Sequence, residues 1–345
     1  SYDVTFGGKT DSFITRVSAD GSDLIYSTFL GGINDDAIRG LALDSQERVC
    51  FAGLTRSPNF PVTPNAFQPV INPVLLDGML GRLSADGAAL DYSTFMPGTH
   101  NAQCLALDPE GRACVGGGAD GFYVPTAGAL HTPFGEEFVY KFDFDGGGLV
   151  YAAEFGGSDI SFLEDLAVDS RGAVYACGNT DAFNFPTTLG AFDTTINGFS
   201  DAFLLKLSPD GSAVECGTFF GGASAEESVS VAVDAQSRVC IAGRTTSSDL
   251  PVTADAFSSQ LGRGDGAFVA QFSADGSELL YSTYFSGTSG NDTPKDIACD
   301  SLGDAFVVGY TLSADFPTTP GSFMPDYGPG ANQVTNGFVL KFAFG

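Results

Sequence analysis

Internal repetition constrains this chain more than any other feature. One phrase recurs five times: SADGSDLIYSTFLGG at 18–32, SADGAALDYSTFMPG at 84–98, DFDGGGLVYAAEFGG at 143–157, SPDGSAVECGTFFGG at 208–222 and SADGSELLYSTYFSG at 273–287. Its anchor glycines are Gly21, Gly87, Gly146, Gly211 and Gly276. A second phrase follows each copy, as in LALDSQERVCFAG at 41–53, LAVDSRGAVYACG at 166–178 and IACDSLGDAFVVG at 297–309. A third, FPVTPNAF at 60–67 or FPTTPGSF at 316–323, closes most copies and is degraded to YVPTAGAL at 123–130. A repeat period in this range signals a stacked or radial array, and it must be read before any single element.

Each copy holds four short runs rich in Val, Ile, Phe, Tyr and Thr, bounded by Gly, Asp and Ser, which is strand grammar. No ten-residue stretch carries a helical period. Runs such as FVVGYT (306–311) and FLLKLS (203–208) are apolar on both faces, as strands are when sheets pack on either side of them. The expectation is an all-β chain, a β-propeller of five four-stranded blades from five repeats of about 64 residues, forming a single domain over 1–345. The blades fall at about 38–95, 102–155, 163–220, 228–285, and 295–344 closed with 12–30. The C-terminal GFVLKFAFG repeats the third-strand grammar of the N-terminus, Phe338 to Phe342 matching Phe13 to Val17. The sequence therefore encodes 21 strands, one more than five fours, and leaves one surplus C-terminal strand. Either the two ends overlap in the fifth blade, or the surplus strand pairs with another copy. Phe13, Val17, Phe338, Val339, Leu340 and Phe342 are the residues of that closure or assembly.

The wording DAFLLKLSPDG (201–211), YSTYFSG (281–287), LAVDSRGAVYACG (166–178) and FPTTPGSF (316–323) resembles the SBBP beta-propeller repeats of secreted and surface proteins of bacteria, and more distantly NHL-type blades. The resemblance covers all five copies. It implies a propeller, export from the cell and few established activities. It also implies that the LAVD run is the innermost strand of a blade and the YSTYF run the outermost.

Composition removes several functions. Fifteen basic against 42 acidic side chains give a net charge of −27, the wrong sign for a phosphate backbone, so no nucleic-acid partner is expected. No apolar run approaches the length of a membrane-spanning helix. No basic start leads into an apolar stretch, so any signal peptide is expected to have been removed or never present.

The candidate chemistry reduces mostly to turns. One Asp recurs in the SADG position (Asp20, Asp86, Asp145, Asp210, Asp275) and another after the innermost strand (Asp44, Asp108, Asp169, Asp234, Asp300). A carboxylate ring would suit Ca²⁺, but EF-hand spacing is absent, and Asp before a turn glycine is ordinary turn chemistry. These ten are read as structural turn carboxylates, with no cofactor expected. Arg16, Arg82, Lys141, Lys206 and Lys341 share one third-strand column, with Gln271 as the exception, and read as partners for acidic neighbours. Cys50, Cys114 and Cys240 share an apolar column and read as buried thiols; the seven Cys include no C-x-x-C. The two histidines, His100 and His131, sit in non-equivalent places and make no zinc set. The run 116–121 matches G-x-G-x-x-G by letter, but no helix follows it. Phe60, Phe67, Phe185, Phe192, Phe316 and Phe323 read as staples folding long loops onto their blades.

No catalytic constellation emerges, and the chain is expected not to be an enzyme. The function expected is a secreted or cell-surface structural scaffold that self-associates head to tail, or with other surface components, through terminal strand pairing. The alternative is a binding module holding a glycan or peptide through non-repeated residues such as Arg244, Tyr123, His131 and Tyr327.

Overall fold

The structure is a computed structural model, described for residues 1–71, 77–119, 125–262, 265–288, 291–325 and 335–344, the side chain of His100 excepted. Those residues form 21 strands and no helix. Tyr123 and Tyr327 lie outside the described residues.

The chain divides into two compact units, Ser1–Phe155 with Pro209–Ala213, and Gly156–Ser208 with Val214–Gly345. In the first, β1 (Ser12–Val17) and β2 (Leu24–Leu30) pair as a two-stranded sheet. A four-stranded sheet follows from β3 (Asp36–Leu43), β4 (Val49–Thr55), β5 (Asp77–Leu83) and β6 (Leu90–Met96). Another comprises β7 (Thr99–Leu107), β8 (Ala113–Ala119), β9 (Glu137–Phe142) and β10 (Leu149–Phe155).

The second unit opens with β11 (Ser161–Val168), β12 (Val174–Thr180), β13 (Asp201–Leu207) and β14 (Val214–Phe220) in one sheet. The next contains β15 (Glu226–Val233), β16 (Val239–Thr245), β17 (Gly266–Phe272) and β18 (Leu279–Tyr284). The last is three-stranded, β19 (Asp292–Cys299), β20 (Ala305–Thr311) and β21 (Asn336–Phe342). Every pairing is antiparallel between strands adjacent in sequence, through short hairpins or, between second and third strands, through long loops. The strands at the two ends are thus divided: β21 pairs with β20, while among the described residues β1 and β2 pair only with each other.

The repeated letters account for the hairpins. In the SADG turn, Gly21 stands at φ 74° and its N–H donates to Ser18 O at 2.9 Å, while Asp20 accepts from the Ser18 and Ser22 hydroxyls and the Ser22 N–H. In the other turn, Asp44 accepts from the N–H groups of Gln46 and Arg48, each at 2.9 Å. A left-handed residue follows there: glycine at Gly111, Gly172 and Gly303, but Glu47 and Ser237 in the other two copies, each at φ 61°. A bulge interrupts the third-to-fourth ladder at the cation column, between Arg16 and Val17, Arg82 and Leu83, and Lys206 and Leu207.

Sheets stack face to face within each unit. Ile14, Tyr26 and Leu30 pack on Phe51, Met79, Leu83 and Phe95, and Tyr92 and Met96 pack on Phe138, Tyr140 and Phe142. In the second unit, Tyr175 and Phe220 meet Phe268 and Phe272, and Val269 and Phe285 meet Ile297, Val307 and Phe338. Each such side chain contributes about 1.5–3 kcal/mol when removed from water. Strands β5, β9, β13 and β17 are buried along their whole length, whereas β1 and β21 each bury one residue, Ile14 and Phe338, among half-buried and exposed neighbours.

The loop staples fold back onto their own sheets at Phe60, Phe185 and Phe316, the first Phe of each phrase, and are corrected at the second. Phe60 and Phe185 are buried, Phe67 meets Phe142, Phe192 meets Phe272, and Phe316 stacks on Phe338 at 4.7 Å. Phe323 is fully exposed. Phe67 and Phe192 pack on the third strand of the following sheet, whereas the equivalent Phe257 is exposed although β19–β21 follows it.

Candidate functional site

Residues that repeat in every sheet are consumed by the sheet, so a site must be built from positions where equivalent residues differ. One such place is the entrance of the first two strands, where cross-strand pairs are Ala37–Leu54, Phe162–Asn179, Glu227–Arg244 and Thr293–Tyr310. In the second unit, two of these pairs line a cavity of about 440 Å³, together with Glu164 and Thr246. Glu164 is the extra residue of a bulge between Leu163 and Asp165, a device that re-aims a side chain. Phe162 presents half its surface to solvent.

Arg244 anchors the cavity. Its guanidinium donates to Asp265 and lies 3.5 Å from Glu227 Oε2, while its Nε is buried and makes no hydrogen bond. Asn179 donates to Ser200 Oγ at 3.3 Å. Glu226, on the wall, is committed to the fold, accepting from Gly222 N–H at 2.7 Å and Thr245 Oγ1 at 2.6 Å. The cavity therefore combines an aromatic face, an amide and one guanidinium with an excess of carboxylates. Sequence reading singled out Arg244 but missed Phe162, Glu164 and Glu227. The register that sets Glu227 opposite Arg244 was the usable signal for Glu227, and nothing in the letters announced the bulge that places Glu164. His131, the other candidate, lies in the first unit, its Nδ1 2.6 Å from Glu154 Oε2. Burial raises the Glu154 carboxyl, against the lowering effect of His131.

The ten turn carboxylates all accept backbone N–H bonds two residues on: Asp86 from Ala88, Asp145 from Gly147, Asp210 from Ser212, Asp275 from Ser277, Asp108 from Glu110, Asp169 from Arg171, Asp234 from Gln236 and Asp300 from Leu302, besides Asp20 and Asp44. Hydrogen bonds to Ser18 and Ser22 hold Asp20 at about 2, and those to Ser273 and Ser277 hold Asp275 at about 2. Among the described residues, no group of three or more His, Cys, Asp or Glu is placed to hold a metal ion.

The cation column reaches the second set of these carboxylates. Lys141 Nζ lies 2.9 Å from Asp108 Oδ2 with both side chains buried, and Lys206 Nζ lies 3.8 Å from Asp169 and 3.5 Å from Glu215. Lys341 Nζ lies 2.8 Å from Asp304 and 3.1 Å from Asp300, but 43% of its side chain is exposed. Arg82 stacks over Tyr92 and Phe144, and Arg16 pairs with Glu47.

The terminal strands differ from their counterparts in pairing. Among the described residues, strands β5, β9, β13 and β17 have a partner on each side, whereas β1 is paired only with β2 and β21 only with β20. Phe13, Val17 and Val339 are exposed there, while Phe338 is buried and Leu340 and Phe342 are half-buried. Thr10 bridges Asp35 as Ser200 bridges Ala225, so β1 meets the β3 sheet as β13 meets the β15 sheet.

No curated protein matches the chain. Among solved structures, it is similar to a protein of unknown function from Bacteroides caccae (8% identity, 89% of this chain and 82% of that one, TM-score 0.45). It is also similar to one from Dyadobacter fermentans (14%, 93% and 79%, 0.44) and to a gluconolactonase from Xanthomonas campestris (15%, 82% and 72%, 0.37). At these overlaps the likenesses carry no argument about chemistry. Residues 280–317, from β18 through β20 into the FPTT phrase, match the model of the SBBP beta-propeller repeat, so that stretch of the chain carries this repeat.

Proposed function

We propose that the chain is a non-enzymatic extracellular structural protein that self-associates head to tail through its terminal strands. The observation that carries this reading is the pair of open edges, on β1 and on β21, in a chain whose other third strands are paired on both sides. Open edges bearing exposed apolar side chains are templates for strand addition. The five-blade count belongs to this reading. Inner strands β19 and β20 call for one third and one fourth strand, and β21, β1 and β2 offer three strands for two places. A surplus strand used between copies gives a heterologous contact, which propagates as an open filament unless its rotation closes. The net charge of −27 supports a chain that stays soluble and resists non-specific association. Small-angle scattering and negative-stain imaging test this. Fibres or concentration-dependent particles that vanish on deletion of residues 337–345 support it. Monomers at every concentration, or a deletion that unfolds the monomer, refute it.

The cavity around Arg244 favours a second reading, a binding module for a glycan or peptide. An aromatic face beside an amide and carboxylates offers stacking and several hydrogen bonds to a polar ligand with an apolar face. Titration with a glycan array and a basic peptide panel, in parallel with Phe162→Ala, decides it. Binding that the substitution does not weaken excludes this cavity, and silence across both panels excludes the reading.

A further inference from the structure

The seven cysteines are not equivalent. Cys50, Cys114, Cys177 and Cys216 are buried within their sheets, and burial pushes their thiols upward, Cys50 and Cys216 to about 11 and Cys114 to about 12. Cys240 on β16 and Cys299 on β19 stand apart because they belong to one apolar cluster formed between two neighbouring sheets of the second unit.

Strand geometry explains why they meet. The Ser230 hydroxyl donates to Asp165 Oδ2 at 2.7 Å and lies 3.0 Å from Asp296 Oδ1, and Ile297 N–H donates to the Ser230 oxygen at 3.2 Å. That contact sets β15 against β19. Two residues further along each strand, on the same face, stand Ala232 and Cys299. Ala232 is paired with Cys240 in the ladder of β15 and β16, which puts Cys240 on the face of its sheet that packs against Cys299. Both belong to the apolar cluster that joins these sheets. Cys240 is fully buried and receives the Gln271 amide at 3.4 Å, whereas Cys299 is only half-buried.

We infer that Cys240 and Cys299 are a disulfide-forming pair that ties the β15–β18 sheet to the β19–β21 sheet when the chain meets a small-molecule disulfide. The chemistry is ordered by environment. The hydrogen bond from Cys240 lowers Cys299, burial opposes it, and among the charges Arg238 helps while Asp234 and Asp300 oppose. Cys240, which supplies that proton and is buried, is raised. Cys299, half-buried where Cys240 is fully buried, is the thiol that a small-molecule disulfide can reach and therefore the one that attacks. It displaces one thiolate from a disulfide such as oxidised glutathione, forming a mixed disulfide. Cys240 then gives up its proton, attacks the Cys299 sulfur and expels the second thiolate. Two protein thiols are oxidised, one glutathione disulfide is reduced, and the two protons leave on two glutathione thiols. The bond would stiffen the sheet that carries the open edge of β21.

Incubation of the folded chain with oxidised glutathione, followed by thiol titration in denaturant and peptide mapping, tests this. The free thiols should fall from seven to five, with one linked peptide containing Cys240 and Cys299. The Cys299→Ser variant should keep all six of its thiols, whereas Cys240→Ala, which keeps the attacking thiol and lacks the resolving one, should stop at the mixed disulfide with five free thiols and one bound glutathione. If Cys240→Ala does not fold, the retention of six thiols by Cys299→Ser is the readout. Seven free thiols after treatment, or a linked peptide formed by other cysteines, would overturn the assignment.

Discussion

Lys141 and Lys341 occupy the same column of the repeat, yet removing them should cost very different amounts. At Lys141 the ammonium sits 2.9 Å from Asp108 with 2% and 0% of the two side chains exposed. Deleting one partner of a buried pair typically costs about 3–5 kcal/mol, because the other charge is stranded. Asp108 is not wholly stranded here. Arg112 Nε remains at 2.7 Å, and the N–H groups of Glu110 and Arg112 still donate at 3.0 and 2.8 Å. We therefore expect Lys141→Met to cost about 2–3 kcal/mol, below the usual range. Lys341 is 43% exposed and shared between two acids, so Lys341→Met should cost no more than about 1 kcal/mol. The assay is urea unfolding by circular dichroism, with peptide-resolved hydrogen exchange assigning the loss of protection to the β7–β10 sheet. The pH dependence adds a sign. Burial alone would raise the Asp108 carboxyl, but bonds from Lys141 and Arg112 leave it below its ordinary value. Its stabilisation is present above the unfolded carboxylate value and is lost as pH falls through the folded one. The gap between wild type and Lys141→Met should accordingly narrow in acid, and Asp108→Asn should recover part of the loss in the Lys141→Met background. Equal costs at the two lysines, or a gap that widens in acid, would refute the assignment of the column's energy to burial.

Asp201 should behave oppositely. Burial pushes its carboxyl up to about 6, against the N–H groups of Asn197 and Gly198 and with repulsion from Glu226. A raised carboxyl subtracts stability as pH rises from the unfolded value through about 6. Asp201→Asn should therefore raise stability by about 1 kcal/mol at neutral pH, after allowance for solvent screening, and gain nothing in acid; a gain that persists unchanged at low pH would contradict this. Among the turn glycines, Gly21 and Gly87 have similar left-handed φ values, but a Cβ at Gly21 meets nothing within 4 Å, while one at Gly87 falls 2.5 Å from the buried Tyr26 ring. Gly21→Ala should cost about 1 kcal/mol and Gly87→Ala about 2–4 kcal/mol, read from denaturation midpoints; equal costs would mean that the ring yields freely.

The parts of the fold legible in the sequence are those where one residue satisfies a local demand. Gly21 supplies a backbone angle, Asp44 accepts two N–H groups a few residues away, and Phe203 fills a strand interior; each need is met within its own hairpin, so the letters recur with it. The Arg244 cavity is different in kind. Glu227 reaches Arg244 through a cross-strand register and Asp265 through the next strand, and Glu164 is turned toward the site by a bulge that no letter announces. Columns that read as noise in the repeat, Ala37, Phe162, Glu227 and Thr293, are the places where sheets of one plan acquire different surfaces. The Cys240–Cys299 contact hid for a related reason. The two residues occupy different columns, one on a second strand and one on a first, and come together only because Ser230 fixes neighbouring sheets one against the other. The termini mark the limit of this grammar. Strands β1 and β21 are spelled alike because each is built to lie third in a sheet, and their letters specify a kind of partner and not its identity. Local physics gives both strands the same preference, so the choice between them depends on whole sheets or on a second copy. A function carried by those edges would therefore be expected to change with deletion of a strand far more than with substitution of any single residue in it.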